Sequence, residues 1–531
     1  MVLARGEMLK TETTGKAKGL LLSGSMLPRG GLAVLSGVLL ALSFPRFDLG
    51  PLAFGALVPL LVGLDGAPLL QGTYLGIIAG LVFYLMSIPW LVHTMGAYGS
   101  LPLPLSILLL LALSLYLALY IGVFASGVTR LSARGGLGYL VGTAALWVGL
   151  EYLRTFLLTG FPWNLLGYSQ YRNLSVIQIA SITGVYGISF LLVLANAAMA
   201  LACLHFRWGS RRALLPVVGV GLLLVATVLF GKGQMVSAET HRREIRVSIV
   251  QGNIEQSIKW DPGFQERTIA IHHRLTREAG RGADLIVWPE TAVPFFLREG
   301  GPLSQQVLDL AKEMQSYLLV GSPDRAGDIS SRYYNSAFLI SPEGKIVQKY
   351  DKIHLVPFGE YVPLKSLLFF VQKMATGIGD FSPGQAFTVF EAPAGRFGVL
   401  ICFEAIFPDQ VRRYVLAGAD FLVNITNDAW FGDSSAPYQH LSMAALRAVE
   451  NGVILVRAAN TGISALVTPT GRIVKQSDLF VETVLSGTMA RRSAETFYTR
   501  YGDVFAWGCG LISVVVLAPT RRRGRREGRK P

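Results

Sequence analysis

Apolar runs of bilayer-spanning length, separated by short polar breaks, fill the first 235 positions, and one more stands near the end. An α-helix needs roughly 17–25 such residues to cross a hydrocarbon core. Seven runs are read in the first part: Gly30 to Phe44, Leu49 to Leu64, Gly72 to Met95, Leu101 to Val128, Tyr139 to Leu158, Val176 to Leu204 and Ala213 to Gly231. The eighth, Tyr501 to Ala518, precedes a basic tail. The first two are short and punctuated by proline, so their ends are the least defined. Because spans keep following it, the first run is expected to stay as a helix rather than be cleaved as a leader.

Between the seventh and eighth runs the pattern changes. Short β-rich runs alternate there with amphipathic stretches, which is how an α/β domain reads. Strands are expected at Ile245–Val250, Asp284–Trp288, Tyr317–Gly321, Ala337–Ile340, Gly398–Cys402, Phe421–Ile425, Val453–Arg457 and Ser464–Thr468. Helices are expected from Asp261, whose Asp-Pro pair supplies a cap and first turn, to Gly280, and near Pro302–Gln315, Phe407–Ala417 and Tyr438–Asn451. Ser341-Pro-Glu-Gly-Lys and Thr468-Pro-Thr-Gly-Arg read as hairpin turns. The expected division is a membrane domain over 1–236 with seven helices, an α/β domain over 237–496, and a last helix with its tail over 497–531.

Composition agrees: of 531 residues 51% are hydrophobic and 15% charged, against about 25% charged in soluble chains. The net charge of +14 would suit nucleic acid, but its placement does not. The tail from Arg521, the stretch before Gly30 and the Arg207, Arg211, Arg212 loop carry +6, +3 and +3, all beside apolar runs. That is the signature of membrane orientation, with no nucleic-acid partner. With the N-terminus inside, the inner loops include Arg130, Arg134 and the Arg207 loop, while His93–Ser100 has no Lys or Arg and Phe161–Leu174 only Arg172. Both termini are then cytoplasmic and 237–496 is exported.

Of three cysteines, Cys203 and Cys509 lie in apolar runs, leaving Cys402 alone in the polar region. No disulfide within that region and no Cys-x-x-Cys metal pair is possible. Glu290 and Cys402 stand at predicted strand ends, and Lys352 follows the first hairpin, in Trp288-Pro289-Glu290, Tyr350-Asp351-Lys352 and Ile401-Cys402-Phe403-Glu404. Strand ends are where side chains of α/β domains converge on a cleft. Singly, each has a plain reading as a surface carboxylate, a solvated lysine and a core thiol. The adjacent pair His272-His273 is expected at the surface rather than on a metal. Glu151 and Arg154, three apart on one helix face, are expected to pair, either toward a lipid head group or at the outer helix end.

Taken together, the three residues resemble the Glu–Lys–Cys signature of the nitrilase superfamily of carbon–nitrogen hydrolases, over about Arg246 to Thr488. The flanking spans, with His354-Leu-Val-Pro-Phe-Gly-Glu360 and Asn427-Asp-Ala-Trp-Phe-Gly432, look like its apolipoprotein N-acyltransferase branch. The resemblance implies an αββα sandwich joined to a polytopic helical membrane domain of about eight helices. It implies Cys402 as nucleophile, Glu290 as general base, and Lys352 with the Phe403 N–H facing the oxyanion. It also implies Glu360 orienting Lys352, and Glu404 and Trp260 lining the site. Phe403 stands where the family often has Tyr, which keeps an aromatic wall and loses a hydroxyl. Trp430 and Phe431 are expected either in an apolar loop at the membrane surface or in ordinary core packing. The implied partners are a membrane phospholipid as acyl donor, a diacylglyceryl apolipoprotein as acceptor and the bilayer itself, with no metal and no organic cofactor. The rival reading of the same three residues is a membrane-anchored amidohydrolase, which would pass the acyl group to water.

Overall fold

The computed structural model describes residues 26–132, 136–206, 214–237, 243–327, 332–361, 380–491 and 495–518. Arg134, Arg207, Arg211, Arg212 and the basic tail, on which the expected orientation rests, lie outside the described residues. Five helices are long and apolar enough to cross a membrane: α3 (Leu69–Ser87), α5 (Leu103–Leu131), α6 (Gly136–Phe156), α7 (Val185–Phe206) and α8 (Leu214–Ser237). Helix α1 (Met26–Leu42) and the last helix, α13 (Val504–Leu517), are apolar but shorter. Among the described residues five of the eight expected spans are therefore full-length helices, and proline and glycine punctuate three of the expected runs. The Leu49–Leu64 run is a 3₁₀ turn (Gly50–Phe54) followed by the six-residue α2 (Val58–Gly63), with Pro51 and Pro59 each in a first turn, where proline starts a helix it cannot continue. The Gly72–Met95 run breaks at Pro89, ahead of α4 (Trp90–Ala97). The Val176–Leu204 run breaks at Gly184, with φ +64, where a Cβ would strike the Tyr498 ring. Helix α5 exposes Leu108, Leu111, Leu115 and Leu119, and α8 exposes Leu215, Val218, Leu222 and Leu229. Apolar faces of that extent are stable against lipid rather than water.

The α/β part is two six-stranded sheets. Sheet one has the order β12-β1-β2-β3-β4-β5 and sheet two β11-β10-β9-β8-β7-β6. The predicted strands are found as β1 (Arg243–Gln251), β2 (Leu285–Val287), β3 (Tyr317–Arg325), β4 (Tyr333–Ile340), β7 (Gly395–Ile401), β8 (Phe421–Thr426), β9 (Ile454–Ala459) and β10 (Ala465–Val467). The four that sequence patterning missed are β5 (Ile346–Asp351), β6 (Val389–Ala392), β11 (Ile473–Gln476) and β12 (Thr483–Arg491). Those are the four sheet edges. Edge strands carry polar residues that discourage further pairing, and so lose the apolar signal. Both hairpin turns close as read, by Ser341 N–H to Lys345 O and Thr468 N–H to Arg472 O, each 2.9 Å.

The sheets pack face to face through Val247, Ile249 and Leu319 of one and Val399, Val423 and Val456 of the other. Helices α9 (Gln265–Glu278) and α10 (Pro302–Met314) cover the outer face of sheet one, where Ile269, Leu275, Val307 and Leu310 meet Ile286 and Val320. On the outer face of sheet two lie α11 (Pro408–Leu416) and α12 (Ala436–Asn451). This is the αββα sandwich. Helix α12 is buried along almost its whole circumference, because Met443, Leu446 and Val449 join the core of the membrane helices. His272 is fully buried against Trp288, 4.8 Å between rings, and not at the surface as expected. It lies on the inward face of α9, its Nδ1 2.8 Å from Thr268 O.

Candidate active site

The three residues singled out from sequence end on neighbouring loops. Glu290 follows β2 by three positions, and the backbone of β3 comes so close that a Cβ on Gly321 would lie 2.7 Å from Glu290 Cα. Only glycine admits that approach. Lys352 directly follows β5, and its N–H donates to Asn335 O at 2.8 Å. Cys402 directly follows β7, opening a 3₁₀ turn with φ +52. A left-handed conformation costs a residue with a Cβ about 1–3 kcal/mol, so the turn is held by its surroundings.

A closed polar cluster holds two of the three. Lys352 Nζ lies 2.9 Å from Glu360 Oε2 and 3.7 Å from Glu290 Oε1. Asn335 spends both amide protons here, donating to Glu290 Oε1 at 2.7 Å and Glu360 Oε1 at 2.8 Å. The Asn427 N–H donates to Glu290 Oε2 at 2.9 Å and the Val356 N–H to Glu360 Oε2 at 2.8 Å. Lys352 is 1% exposed. Burial works against its charge, but Glu360 and then Glu290 outweigh it and hold its pKa above the ordinary lysine value. The Cys402 thiol, also buried, is pushed up by burial and by the Glu290 charge, with Lys352 opposing. Both effects favour the protonated thiol.

Two matches of family models span most of the chain: Carbon-nitrogen hydrolase over residues 246–498, and Apolipoprotein N-acyltransferase N-terminal domain over residues 36–198. The apolipoprotein N-acyltransferase of Geobacter metallireducens is 49% identical over 93% of this chain and 95% of its own length. That of Azotobacter vinelandii is 36% identical over 95% and 97%. The chain belongs to the apolipoprotein N-acyltransferase family. It is an acyltransferase built on a carbon–nitrogen hydrolase domain and apolar membrane helices. A solved nitrilase-superfamily structure, Nit3 of Saccharomyces cerevisiae, matches 53% of this chain and 97% of its own with 20% identity and a TM-score of 0.37.

The remaining residues expected around this acyltransferase site fall in three places. Glu360 is in the cluster. Glu404 is fully buried behind it: Oε2 accepts from Ile401 N–H at 2.7 Å, and Oε1 from Tyr350 Oη, Ile353 N–H and Gln410 Nε2 at 2.6, 2.8 and 2.7 Å. It ties the turn of Cys402 to the loop of Lys352. Phe403, His354 and Phe407 form an aromatic wall, the last two stacked with ring centroids 3.7 Å apart, and Phe403 and Phe407 pack on the membrane-helix core. Trp430 and Phe431 also dock there, on Tyr98 at 5.0 Å and Trp90 at 4.9 Å. Thr94 Oγ1 and Tyr98 Oη donate to the carbonyls of Trp430 and Ala429 at 2.9 and 3.0 Å. Trp260 is half-buried on the turn beside Lys259.

Several residues at the site were not anticipated. Asn335 is one. Lys259 is another: it is 1% exposed and donates to Glu290 O at 3.0 Å, and burial lowers its pKa to about 7, with Glu290 and Cys402 opposing. A third group lies beneath Cys402, where Asp428, His440 and Arg457 are all buried. A lysine just before Trp260 and a histidine on an amphipathic helix gave no signal of their own. Among the described residues no group of three or more His, Cys, Asp or Glu is placed to hold a metal ion. Glu151 and Arg154 are brought into one buried cavity, yet they are not paired with each other as expected. Glu151 Oε1 accepts from Leu166 N–H at 2.7 Å, and Arg154 Nη1 donates to Tyr84 Oη at 2.5 Å. They are 5% and 3% exposed, which also excludes a solvated pair at the helix end.

Proposed function

We propose that Cys402 takes a fatty acyl chain from a membrane phospholipid as a thioester and passes it to the α-amine of a diacylglyceryl-cysteine at an apolipoprotein's N-terminus. In the first half, Glu290 accepts the thiol proton as sulfur attacks the ester carbonyl. The C–S bond forms, the ester C–O bond breaks, and the proton leaves with the lysophospholipid oxygen. In the second half the amine attacks the thioester, the C–N bond forms, the C–S bond breaks, and Glu290 moves the amine proton back to sulfur. Lys352 and the Phe403 N–H stabilise the oxyanion of each tetrahedral intermediate. The observation that carries this reading is a buried Cys402 thiol on a left-handed strand end, under the charges of Glu290 and Lys352, which lie 3.7 Å apart in one polar cluster.

The same reading places residues 237–496 on the outer side of the bacterial cytoplasmic membrane, between a seven-helix unit over 1–236 and the last helix and tail over 497–531, with both termini inside. Tethering a cleft to the leaflet that holds both lipid-anchored substrates raises their effective concentration. The aromatic wall of Phe403 and Phe407, continuous with the membrane helices, keeps water from the thioester. Intact-mass analysis of protein purified from membranes tests this. A fatty-acyl adduct that hydroxylamine removes, and that Cys402→Ala lacks, is expected. With radiolabelled phospholipid the label should pass to a lipopeptide amine; free fatty acid as the only product would replace the transferase chemistry by hydrolysis.

A further inference from the structure

His440 sits on α12 behind the nucleophile, with its Nε2 3.1 Å from the carbonyl oxygen of Cys402. A carbonyl only accepts, so Nε2 carries the proton. The other nitrogen, Nδ1, lies 3.1 Å from both Asp428 Oδ1 and Arg457 Nη2. Arg457 Nη2 has two protons and faces two acceptors, Asp428 Oδ2 at 2.7 Å and His440 Nδ1. Asp428 Oδ1 already accepts from Thr426 Oγ1 at 2.9 Å. Arg457 is further fixed by Nε to Ile463 O at 3.2 Å and by Nη1 to Asn424 Oδ1. With the ring neutral and its proton on Nε2, Nε2 donates to the Cys402 carbonyl and Nδ1 accepts from Arg457 Nη2, which also holds Asp428 Oδ2. Burial, then the Arg457 charge, lower the pKa of His440 and keep it so. The neighbouring Gln439 is held from the membrane side, accepting from Trp163 Nε1 at 2.7 Å and donating to Pro45 O and Ser87 O at 2.9 Å.

The C=O and N–H of a trans peptide point in opposite directions. Drawing the Cys402 carbonyl back toward His440 therefore turns the Phe403 N–H forward. We propose that His440 is a positioning residue that fixes the Cys402–Phe403 peptide plane and so aims the Phe403 N–H at the tetrahedral oxyanion. This rests on the reading of Cys402 as nucleophile. It explains why Cys402 keeps a left-handed φ, and why a buried Asp–Arg pair lies beneath a site in which it touches neither Glu290 nor Lys352.

Single-turnover thioester formation on the full chain in detergent, with phospholipid donor, tests the proposal. His440→Met and His440→Asn both remove the Nε2 donor, and Asn keeps a polar partner for Arg457, so that at least one folded variant is available. Rates are referred to the folded fraction by near-ultraviolet circular dichroism. Both variants should acylate about 10- to 100-fold more slowly at saturating donor, less than the roughly 100- to 1,000-fold lost when an oxyanion donor is removed outright, with KM changed less than about twofold. His440→Gln, whose amide reaches the Nε2 position, should recover most of the rate with the parent's pH profile. Folded Met and Asn variants acylating within about twofold of the parent would overturn the proposal. So would a Gln variant as slow as Met with a displaced pH limb, since the ring would then be moving protons. If the parent itself forms no thioester, the fault lies with Cys402, a result distinguishable from either of these.

Discussion

Sheet one and sheet two hold their shares of the site in different surroundings. Glu290, Asn335 and Lys352 sit on or just past strands of sheet one, whose outer helices α9 and α10 pack within the α/β part. Cys402, Asp428 and Arg457 belong to sheet two, and His440 to α12, which is pressed into the membrane helices. On the proposed mechanism, the proton-handling groups stand on the layer away from the membrane helices, and the acyl-accepting sulfur stands on the layer packed against them. Charges on sheet one can be tuned without disturbing the membrane seat. Cys402 is tied through its carbonyl to His440 on the helix that carries the seat.

Substitutions on the two layers should separate these roles. Glu290→Gln, on sheet one, is expected to slow thioester formation roughly 100- to 10,000-fold while leaving melting in detergent within a few degrees, measured by single-turnover mass analysis and thermal scans. A normal acylation rate would take the base off sheet one. Lys352→Met leaves Glu290 and Glu360 facing each other without their cation, and should cost about 3–5 kcal/mol of stability as well as activity. Arg457→Met should cost a similar amount on sheet two by stranding Asp428. The contrast is that Glu360→Gln should partly restore stability to Lys352→Met, and do nothing for Arg457→Met.

Smaller effects sharpen the same comparison. Burial depresses the Lys259 pKa to about 7, against about 10.4 in an unfolded chain. Between those values the unfolded state binds the extra proton, so raising pH through this window should stabilise the fold. Melting midpoints of the parent, compared with Lys259→Met across pH 6.5 to about 9.5, should show that rise in the parent only. Asp428, held to about 2 chiefly by the Arg457 charge against its burial, changes stability in the same direction with pH, in a lower window. Its stabilisation is present above about pH 4 and is lost as pH falls toward 2. Smallest of all, Thr94→Val with Tyr98→Phe removes two hydrogen bonds to the Trp430 loop, worth about 1 kcal/mol each. Acyl transfer should fall while Glu290-dependent proton handling, read from the pH profile, stays put.

How much could be read in advance followed the distance over which each signal acts. Interior strands announced themselves because their apolar runs are buried on both faces, as Phe421–Thr426 is throughout. The edge strands did not, since solvent on one side lets Gln348 or Lys475 stand where a core residue would. Glu290, Lys352 and Cys402 were legible through neighbouring motifs, whereas Asn335 lies inside a strand whose polar residues look ordinary. Pairing of Glu151 with Arg154 was a fair expectation from spacing alone. It failed because the Leu166 N–H and the Tyr84 hydroxyl, from distant segments, reach those side chains instead.

By itself the chain determined which stretches seek lipid, which form a sandwich, and which three side chains stand at or beside strand ends, because hydrophobic period and turn chemistry are local properties. Tertiary structure alone decided that an asparagine bridges two carboxylates and that His440 meets the Cys402 carbonyl. It also decided that one helix is shared by sheet and membrane domain. Those outcomes depend on hydrogen-bond partners 25 to 45 residues apart or more, which no short-range pattern encodes.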